Sequence, residues 1–593
     1  MNDGPSSRLP GFTWPAPGTV RELPCPQCGA GGAKPLLVSV AWRTEDNPDR
    51  RNDVLACPDC GAAFYDHLVP PDYTDANIAA AGRTEFYLQQ GTGLWHSAGL
   101  LARIPRPPGT SYLEVGCGLG FSLDFAIHGL GWQGRGFDPS PMAEVGRSRL
   151  GLPITIDYFT GAAPASSDVA MAAEVIEHVP SPAQFLTLLH AVLAPDGILV
   201  LTTPDAAAIR PETSPGALVL LLSPGLHLIL QTEASLIRLL HESGFNHVAV
   251  ERDGTSLTAF AACVPLQLVV DRPAARALYR AWLARRAAAV TADRSLYFAF
   301  AGHAFTEAVN DADCAAATAI LPSLAARMRA DFGIEINEPH PLPPEIAGAS
   351  LPRLAELMPL NLPAILIGCA MQRLAAGVPR DAVRPHFVAA GEAAAALRRA
   401  LSERMLEDAE TEELGWVAIA ETLLCDADSG APDLPARLAK LPQAPGDTEN
   451  GDRRRDIVRR AFTGLVNGGS YPIAQALAAA EALDREAECL LAPGALSPSR
   501  RDMLFGLGIL DLHSGGNPAR ARLLFGRVRQ AFAAEEARIS DLFWSSLRGE
   551  ALAIERLEGA GVARAWLGSE LAAVGAAASQ APPDLAQSVR QAS

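Results

Sequence analysis

The sequence predicts an α/β fold at its centre, with an open and mostly parallel sheet, between a small cysteine-rich unit and an all-α region. Three observations predict this order. Strand-like and helix-like stretches alternate over residues 106–268, and four cysteines in two close pairs precede them. Alanine- and leucine-rich helical stretches, separated by proline and glycine loops, fill residues 269–593. Alternating strands and helices are typical of a sheet with helices on its faces.

Composition limits the class of protein. A chain of 593 residues has room for about three or four domains. Its formal net charge of -17 argues against a nucleic-acid partner, because phosphates require a basic face. The ten cysteines, most of them isolated in the sequence, suit a reducing compartment. We therefore expect a cytoplasmic protein.

Neither a signal peptide nor a membrane span is expected. The first ten residues are polar and lack an apolar core. The most apolar stretch, residues 216–230, is interrupted by Pro224 and His227 and is shorter than the roughly 20 residues that span a bilayer.

Two Cys-x-x-Cys-Gly motifs place Cys25 with Cys28 and Cys57 with Cys60. Four thiolates at this spacing fit a tetrahedral zinc site, and the strand-like stretches between the motifs predict a zinc ribbon within residues 1–70. Two disulfides or four free thiols are the alternative, which the paired spacing disfavours. A site closed by four thiolates leaves no open position, so the ion would support folding. Zinc ribbons also bind nucleic acids, but acidic residues here at least cancel the arginines.

A glycine turn follows the first central strand. Residues 113–120 read Leu-Glu-Val-Gly-Cys-Gly-Leu-Gly, and a helical pattern begins at Phe121. Strand, glycine turn and helix form a ligand crevice at the carboxyl end of a strand in an open α/β sheet. A dinucleotide-binding fingerprint requires G-x-G-x-x-G, with its last glycine at position 121. The spacing here is G-x-G-x-G instead.

This spacing, with Glu114 two residues before the first glycine, resembles motif I of the class I S-adenosylmethionine-dependent methyltransferases. Asp138 after the next strand matches the family's acidic residue, and residues 174–180 resemble the "EHV" segment of ubiquinone-type methyltransferases. The resemblance covers about residues 25–265. It implies a Rossmann-like, seven-stranded methyltransferase sheet over 106–268, preceded by a helical lead-in over residues 71–105.

The resemblance also implies a set of cofactor contacts. Asp138 is expected to accept hydrogen bonds from both ribose hydroxyls, because an ionised carboxylate is an acceptor only. Asp157 would meet the adenine, although an acidic residue at a strand end is also an ordinary cap. The implied cofactor-binding residues are Glu114, Gly116, Gly118, Gly120, Asp138, Asp157 and Glu174.

Two histidines are candidates for the chemistry. Methyl transfer from a sulfonium is an in-line displacement, so catalysis needs positioning and, for a hydroxyl acceptor, a base. His178 follows the fourth strand and is the first candidate base; the alternative is that His178 and Glu177 brace the loop. His227, in a loop flanked by proline and glycine, is the second candidate, with a packing role as its alternative.

Residues 269–593 contain a faint internal repeat. Residues 304–310 match residues 461–467, and residues 504–532 resemble a tetratricopeptide helix-turn-helix. Stacked helical pairs would form a solenoid with an extended surface for a protein partner. An ordinary helical bundle is the alternative.

Three functions are therefore compared. The first is an S-adenosylmethionine-dependent methyltransferase that acts on a small molecule or a sugar or glycan, at oxygen or carbon. The second is an interaction scaffold with a degenerate methyltransferase domain, which the intact motif residues disfavour. The third is a nucleic-acid modifier, which the net charge disfavours.

Overall fold

The structure is a computed structural model that describes residues 11–41, 51–74, 83–90, 94–339, 341–404, 408–441, 448–532 and 540–574. Parts of the predicted zinc ribbon (1–10 and 42–50) and of the helical lead-in (75–82 and 91–93) lie outside these residues. The chain divides into two compact units. One comprises Met1–Gln372 with Glu392–Glu413, and the other comprises Arg373–Gly391 with Leu414–Ser593.

Two sheets contain all the strands of the described residues. These strands are β1 Gly11–Thr13, β2 Val20–Glu22, β3 Ala33–Ala41, β4 Arg51–Ala56, β5 Ala63–Tyr65, β6 Ser111–Val115, β7 Gln133–Phe137, β8 Ile154–Thr155, β9 Ser167–Ala173, β10 Leu193–Pro204, β11 Ile229–Leu230, β12 His247–Asp253 and β13 Ser256–Ala262.

The larger sheet has seven strands in the order β12-β13-β10-β9-β6-β7-β8. Its strands β8, β7, β6, β9 and β10 run parallel, and β13 lies antiparallel between β10 and β12. The chain moves outward from β6 to β8 and then returns to β9 on the other side of β6. This reversal makes the carboxyl ends of β6 and β9 the expected ligand crevice. The predicted α/β sheet is confirmed.

The smaller sheet is antiparallel, in the order β1-β3-β4-β5-β11, with β2 paired to β3. Strand β11 comes from the segment between β10 and β12 of the larger sheet, and its Ile229 pairs with Phe64 of β5. The smaller sheet is therefore completed by a strand that lies more than a hundred residues after β5 in the sequence.

Helices cover the larger sheet and begin at conventional caps. Ser181 accepts the N–H of Gln184 ahead of Pro182, and Thr232 and Ser235 form a reciprocal capping box. The helical segments of this region are Arg83–Gln90, Leu94–Ala102, Phe121–Asp124 continued by Phe125–Gly129, Pro141–Val145 continued by Gly146–Leu150, Ile176–His178, Pro182–Val192, Ala206–Ala208, Pro215–Leu222 and Glu233–Glu242.

After the last strand, the described chain is helical, as predicted. Its segments are Arg272–Ala289, Arg294–Asn310, Cys314–Phe332, Pro344–Gly348, Leu351–Leu357, Leu362–Ala375, Arg380–Ser402, Ala409–Asp428, Leu434–Leu438, Thr448–Asn467, Tyr471–Ala480, Leu483–Leu490, Pro498–Leu510 continued by Asp511–Gly515, Pro518–Gln530, Asp541–Glu558 and Ala560–Val574. Within the described ranges, no helix is by itself long and apolar enough to cross a membrane; one pair bent by 43°, Leu351–Leu357 with Leu362–Ala375, passes that test only jointly.

The first compact unit continues beyond the sheet. The last strand ends at Ala262, close to the boundary expected at residue 268, yet the following helix packs on the α/β core. Its buried Trp282 donates a 2.7 Å hydrogen bond to Asp124, and Arg286 forms a 2.8 Å ion pair with the same buried carboxylate. The change from strands to helices after Ala262 therefore does not separate the two compact units.

The repeated sequences pack in the same local way. Phe305 and Phe462 occupy matching positions, and both are fully buried. Each ring lies against a glycine of a later helix: a Cβ added to Gly368 would be 2.9 Å from Phe305, and one added to Gly506 would be 2.8 Å from Phe462. These contacts agree with a repeated helical unit, which remains a prediction.

Candidate functional site

The glycine turn lies at the carboxyl end of β6. Gly116, Gly118 and Gly120 all have positive φ, of 75°, 50° and 80°, which favours glycine. A Cβ on Gly116 would collide with Val175, whereas a Cβ on Gly118 would meet no atom of the described residues within 4 Å. Gly118 therefore faces open space, where a ligand can approach the backbone.

Asp138 holds this turn in place. The residue directly follows β7 and is 8% exposed, and its two carboxylate oxygens accept the N–H groups of Gly118 (2.8 Å) and Ser140 (2.7 Å). An ionised carboxylate has about four acceptor positions, so these two bonds leave capacity for donors of a ligand. The sequence predicted the position of Asp138 but not its bond to the glycine turn.

Glu114 is buried beneath the turn, at the end of β6. Its carboxyl group accepts a 3.1 Å hydrogen bond from the Tyr112 hydroxyl. Burial raises the pKa of Glu114 to about 8. The residue is thus a buried, protonatable group directly behind the crevice.

This raised pKa predicts a pH-dependent stability. Because the ordinary pKa is 4.5 and the folded value is about 8, the folded protein binds this proton more tightly than the unfolded chain. The contribution of the protonated Glu114 to the stability of the fold is complete below pH 4.5 and is lost as pH rises through 8. Between pH 5 and 8.5, we expect wild type to lose at least about 1 kcal/mol more unfolding free energy than Glu114→Gln. Urea unfolding at both pH values measures this difference.

The exposed Glu242 offers the control for this measurement. Glu242→Gln should follow wild type at both pH values. Identical losses in Glu114→Gln and wild type would show that Glu114 is ionised in the folded protein.

The other two predicted cofactor residues lie at the same edge of the sheet. Asp157 follows β8, is exposed, and accepts the N–H of Tyr158. Glu174 follows β9 with a φ of 53° and is exposed, yet enough protein surrounds its carboxyl group to raise its pKa. The parallel strands thus bring the glycine turn, Asp138, Asp157 and Glu174 to one side of the sheet.

Two histidines meet beside Glu174. The rings of His178 and His227 are perpendicular, with centroids 4.7 Å apart. Nδ1 of His178 lies 2.6 Å from the Tyr73 hydroxyl and 3.1 Å from the carbonyl of Leu226, and Nδ1 of His227 lies 2.9 Å from the carbonyl of Leu221. We assign the proton of each ring to Nδ1, because a carbonyl only accepts; the Tyr73 hydroxyl is then a second acceptor at His178, and each Nε2 keeps a free lone pair. Burial lowers the pKa of His178 and lowers that of His227 to about 3.

Glu177 faces both of these free lone pairs. Its carboxyl oxygen Oε2 accepts a 2.9 Å bond from the Thr203 hydroxyl, while Oε1 has no hydrogen-bond partner among the described residues. Oε1 lies 3.7 Å from Nε2 of His178 and 4.0 Å from Nε2 of His227. Burial raises the pKa of Glu177. The sequence-based list of site residues omits Glu177 and Tyr73, although Glu177 directly precedes His178.

The smaller sheet positions His227. Pairing of β11 with β5 fixes the segment that follows this histidine, and the N–H of Leu228 donates a 2.7 Å bond to the carbonyl of Glu177. The side chain of Gln231 donates a 2.7 Å bond to Gln27, which lies between the first two cysteines. The smaller sheet therefore holds the histidine cluster, formed by His178 and His227, directly in place.

The four predicted cysteines form one cluster. Sγ of Cys25 lies 3.6 Å from Cys60, Sγ of Cys28 lies 3.7 Å from Cys57, and all four sulfur atoms lie within 4.8 Å of one another. A tetrahedral zinc ion with bonds of about 2.3 Å would separate its sulfur ligands by about 3.8 Å. All four cysteines are free of disulfides, so this cluster can hold a metal ion.

Part of the chain resembles known methyltransferases. A family model described as a methyltransferase domain matches residues 94–250. Three solved structures are similar. A chain of the complex between the Haloferax volcanii Trm112 methyltransferase activator and a methyltransferase is 17% identical, with 32% of this chain and 100% of that chain covered and a TM-score of 0.26. S-adenosylmethionine-dependent methyltransferases from Mesorhizobium loti (20% identity, 28% of this chain, 99% of that chain, TM-score 0.24) and Aquifex aeolicus (18% identity, 32% of this chain, 96% of that chain, TM-score 0.23) are also similar. No curated protein sequence matches the chain.

The matched residues contain the glycine turn, Asp138 and both histidines of the cluster. Together with the strand order of the larger sheet, they define a class I methyltransferase domain. The chain therefore carries a methyltransferase domain over residues 94–250, and the methyl donor of this enzyme domain is S-adenosylmethionine.

Proposed function

We propose that the enzyme transfers a methyl group from S-adenosylmethionine to an oxygen or carbon atom of a small molecule, a sugar or a glycan. The observation that carries this proposal is the pair of unprotonated Nε2 atoms at the edge of the sheet that also bears the glycine turn. The strongly negative net charge disfavours a nucleic-acid acceptor.

The residues have separate roles in this proposal. The glycine turn and Asp138, with Glu114, Asp157 and Glu174, hold the cofactor. His178 and His227 activate the acceptor, because the acceptor must lose a proton as its new bond to the methyl carbon forms and the carbon–sulfur bond breaks. His178 is half-buried and reachable, whereas His227 is buried behind it.

The remaining parts of the chain support this activity. We assign a structural Zn²⁺ to Cys25, Cys28, Cys57 and Cys60, whose separations suit it. We assign the helical repeats to a protein partner, on the basis of the matching packing of Phe305 and Phe462. Ten cysteines, none of them in a disulfide, suit the cytoplasm as the location.

Calorimetric titration of the full chain with S-adenosylmethionine tests the cofactor. Incubation with the methyl-labelled cofactor then tests acceptors, with nucleotide sugars and short glycans set against oligonucleotides. We expect cofactor binding and label transfer only to the nucleotide sugars and glycans. No binding would favour the scaffold alternative, and label on the oligonucleotides would favour the nucleic-acid alternative.

A substitution of His178 separates binding from chemistry. We expect His178→Ala to keep the cofactor affinity within about twofold while turnover falls, because the imidazole acts on the acceptor. His241→Ala is the matched control, because its Nδ1 also bonds to a backbone carbonyl, that of Phe245, at 2.8 Å. Unchanged turnover in His178→Ala would show that His178 only braces the loop.

A further inference from the structure

The two histidines of the cluster are oriented in the way that metal-binding histidines are. In metal sites, one ring nitrogen usually donates its proton to a carbonyl or carboxylate, which turns the other nitrogen toward the ion. Here the Nδ1 atoms of His178 and His227 are fixed by the carbonyls of Leu226 and Leu221. Both Nε2 atoms then face Oε1 of Glu177, at 3.7 and 4.0 Å.

The carboxylate oxygen between them lacks a donor, and the Glu177 carboxyl group meets a second carboxyl group, that of Glu174. Glu177 is 0% exposed, and its Oε1 accepts no hydrogen bond from the described part of the chain. A buried polar atom without a partner is costly, and distances of 3.7 and 4.0 Å are too long for hydrogen bonds to the imidazoles. The separations are instead close to those around an ion: ligand bonds of about 2.0–2.1 Å place tetrahedral ligands about 3.4 Å apart.

We infer that Glu177, His178 and His227 form a second metal site, which takes a divalent transition-metal ion. Two imidazoles and one carboxylate suit zinc, cobalt or iron better than magnesium or calcium, which prefer oxygen ligands. Three protein ligands leave a position for a further ligand.

The role of this ion in catalysis rests on the proposed function. An acceptor hydroxyl bound to the ion would have a lowered pKa and would release its proton to water. Its oxygen would then form a bond to the methyl carbon while the carbon–sulfur bond breaks and its electron pair stays on sulfur. The ion would thus be the means by which His178 and His227 activate the acceptor.

Cobalt binding to the full chain tests the site, because Co²⁺ reports its ligands by absorption. The protein is stripped of metal with a chelator and titrated with Co²⁺. We expect two ions per wild-type chain, the first with the thiolate charge-transfer band of the cysteine cluster and the second without that band. Glu177→Gln and His227→Ala should keep the first ion and weaken the second at least about a hundredfold.

Two controls make the result decisive. His241→Ala should bind both ions, and the thiolate band shows in every variant that the amino-terminal unit is folded. Glu177→Gln also preserves the shape and the bond to Thr203. One ion per wild-type chain, or two in both site variants, would overturn the inference. Cofactor affinity is titrated separately without added metal, so a chain that binds the second ion but no S-adenosylmethionine contradicts only the proposed function.

Discussion

Replacement of Cys57 by serine is expected to remove the amino-terminal metal ion and to unfold the smaller sheet. The Cys57 side chain is 1% exposed within the four-sulfur cluster, and serine supplies no thiolate to replace it. Binding of a structural zinc ion contributes about 10–16 kcal/mol in zinc-finger peptides, and a unit this small has little core of its own. Elemental analysis should find zinc in wild type but not in Cys57→Ser, and limited proteolysis should then cut within residues 11–74.

Cys314 provides the matched control, because it is an exposed cysteine at the start of a distant helix. Cys314→Ser should retain both the zinc and the resistance to protease. Wild-type protein that is free of metal and yet fully folded would contradict the assignment of zinc to this cluster.

Loss of the smaller sheet should also disturb the positions of His178 and His227. Strand β11 pairs with β5 of that sheet and fixes the segment after His227. Asp138 and the glycine turn belong to the larger sheet. We therefore expect Cys57→Ser to lose turnover to a greater extent than cofactor affinity.

The central sheet and its ligand-binding edge could be predicted because their signals are local. Gly116, Gly118 and Gly120 lie directly between a strand and a helix, and Asp138 directly follows the next strand. Each pattern depends on a few consecutive residues, and parallel strands necessarily carry their carboxyl ends to one edge. The two cysteine pairs were predictable for the same reason.

The supporting contacts could not be predicted because they join residues far apart in sequence. Strand β11 has only two residues, too few for a periodic pattern, and its pairing with β5 depends on tertiary packing. Glu177 resembles any solvated glutamate in the sequence, although the fold buries it completely. Trp282 lies beyond the last strand, and nothing local indicates its bond to Asp124.

Replacement of Asp138 by alanine is expected to weaken S-adenosylmethionine binding about a hundredfold. Each charge-assisted bond to the ribose diol contributes about 1.5–3 kcal/mol, and about 1.4 kcal/mol corresponds to a factor of ten. The substitution also frees the N–H of Gly118, which loosens the glycine turn. Asp168→Ala is the control, because Asp168 also accepts a backbone N–H, that of Ser111, but at the opposite end of the strands. Calorimetric titration of both variants measures the difference.

Replacement of Gly118 by valine is expected to abolish cofactor binding by a different route. The space beyond Gly118 is open, so a valine side chain would fill the place that the cofactor must enter. Gly151→Val controls for backbone strain. Gly151 also has a positive φ, 71°, no atom of the described chain lies within 4 Å of an added Cβ, and the residue lies before the amino end of β8. The Gly151 variant should bind S-adenosylmethionine like wild type, with equal thermal stability in the two glycine variants. Wild-type affinity in both Asp138→Ala and Gly118→Val would show that the cofactor does not bind at this edge of the sheet.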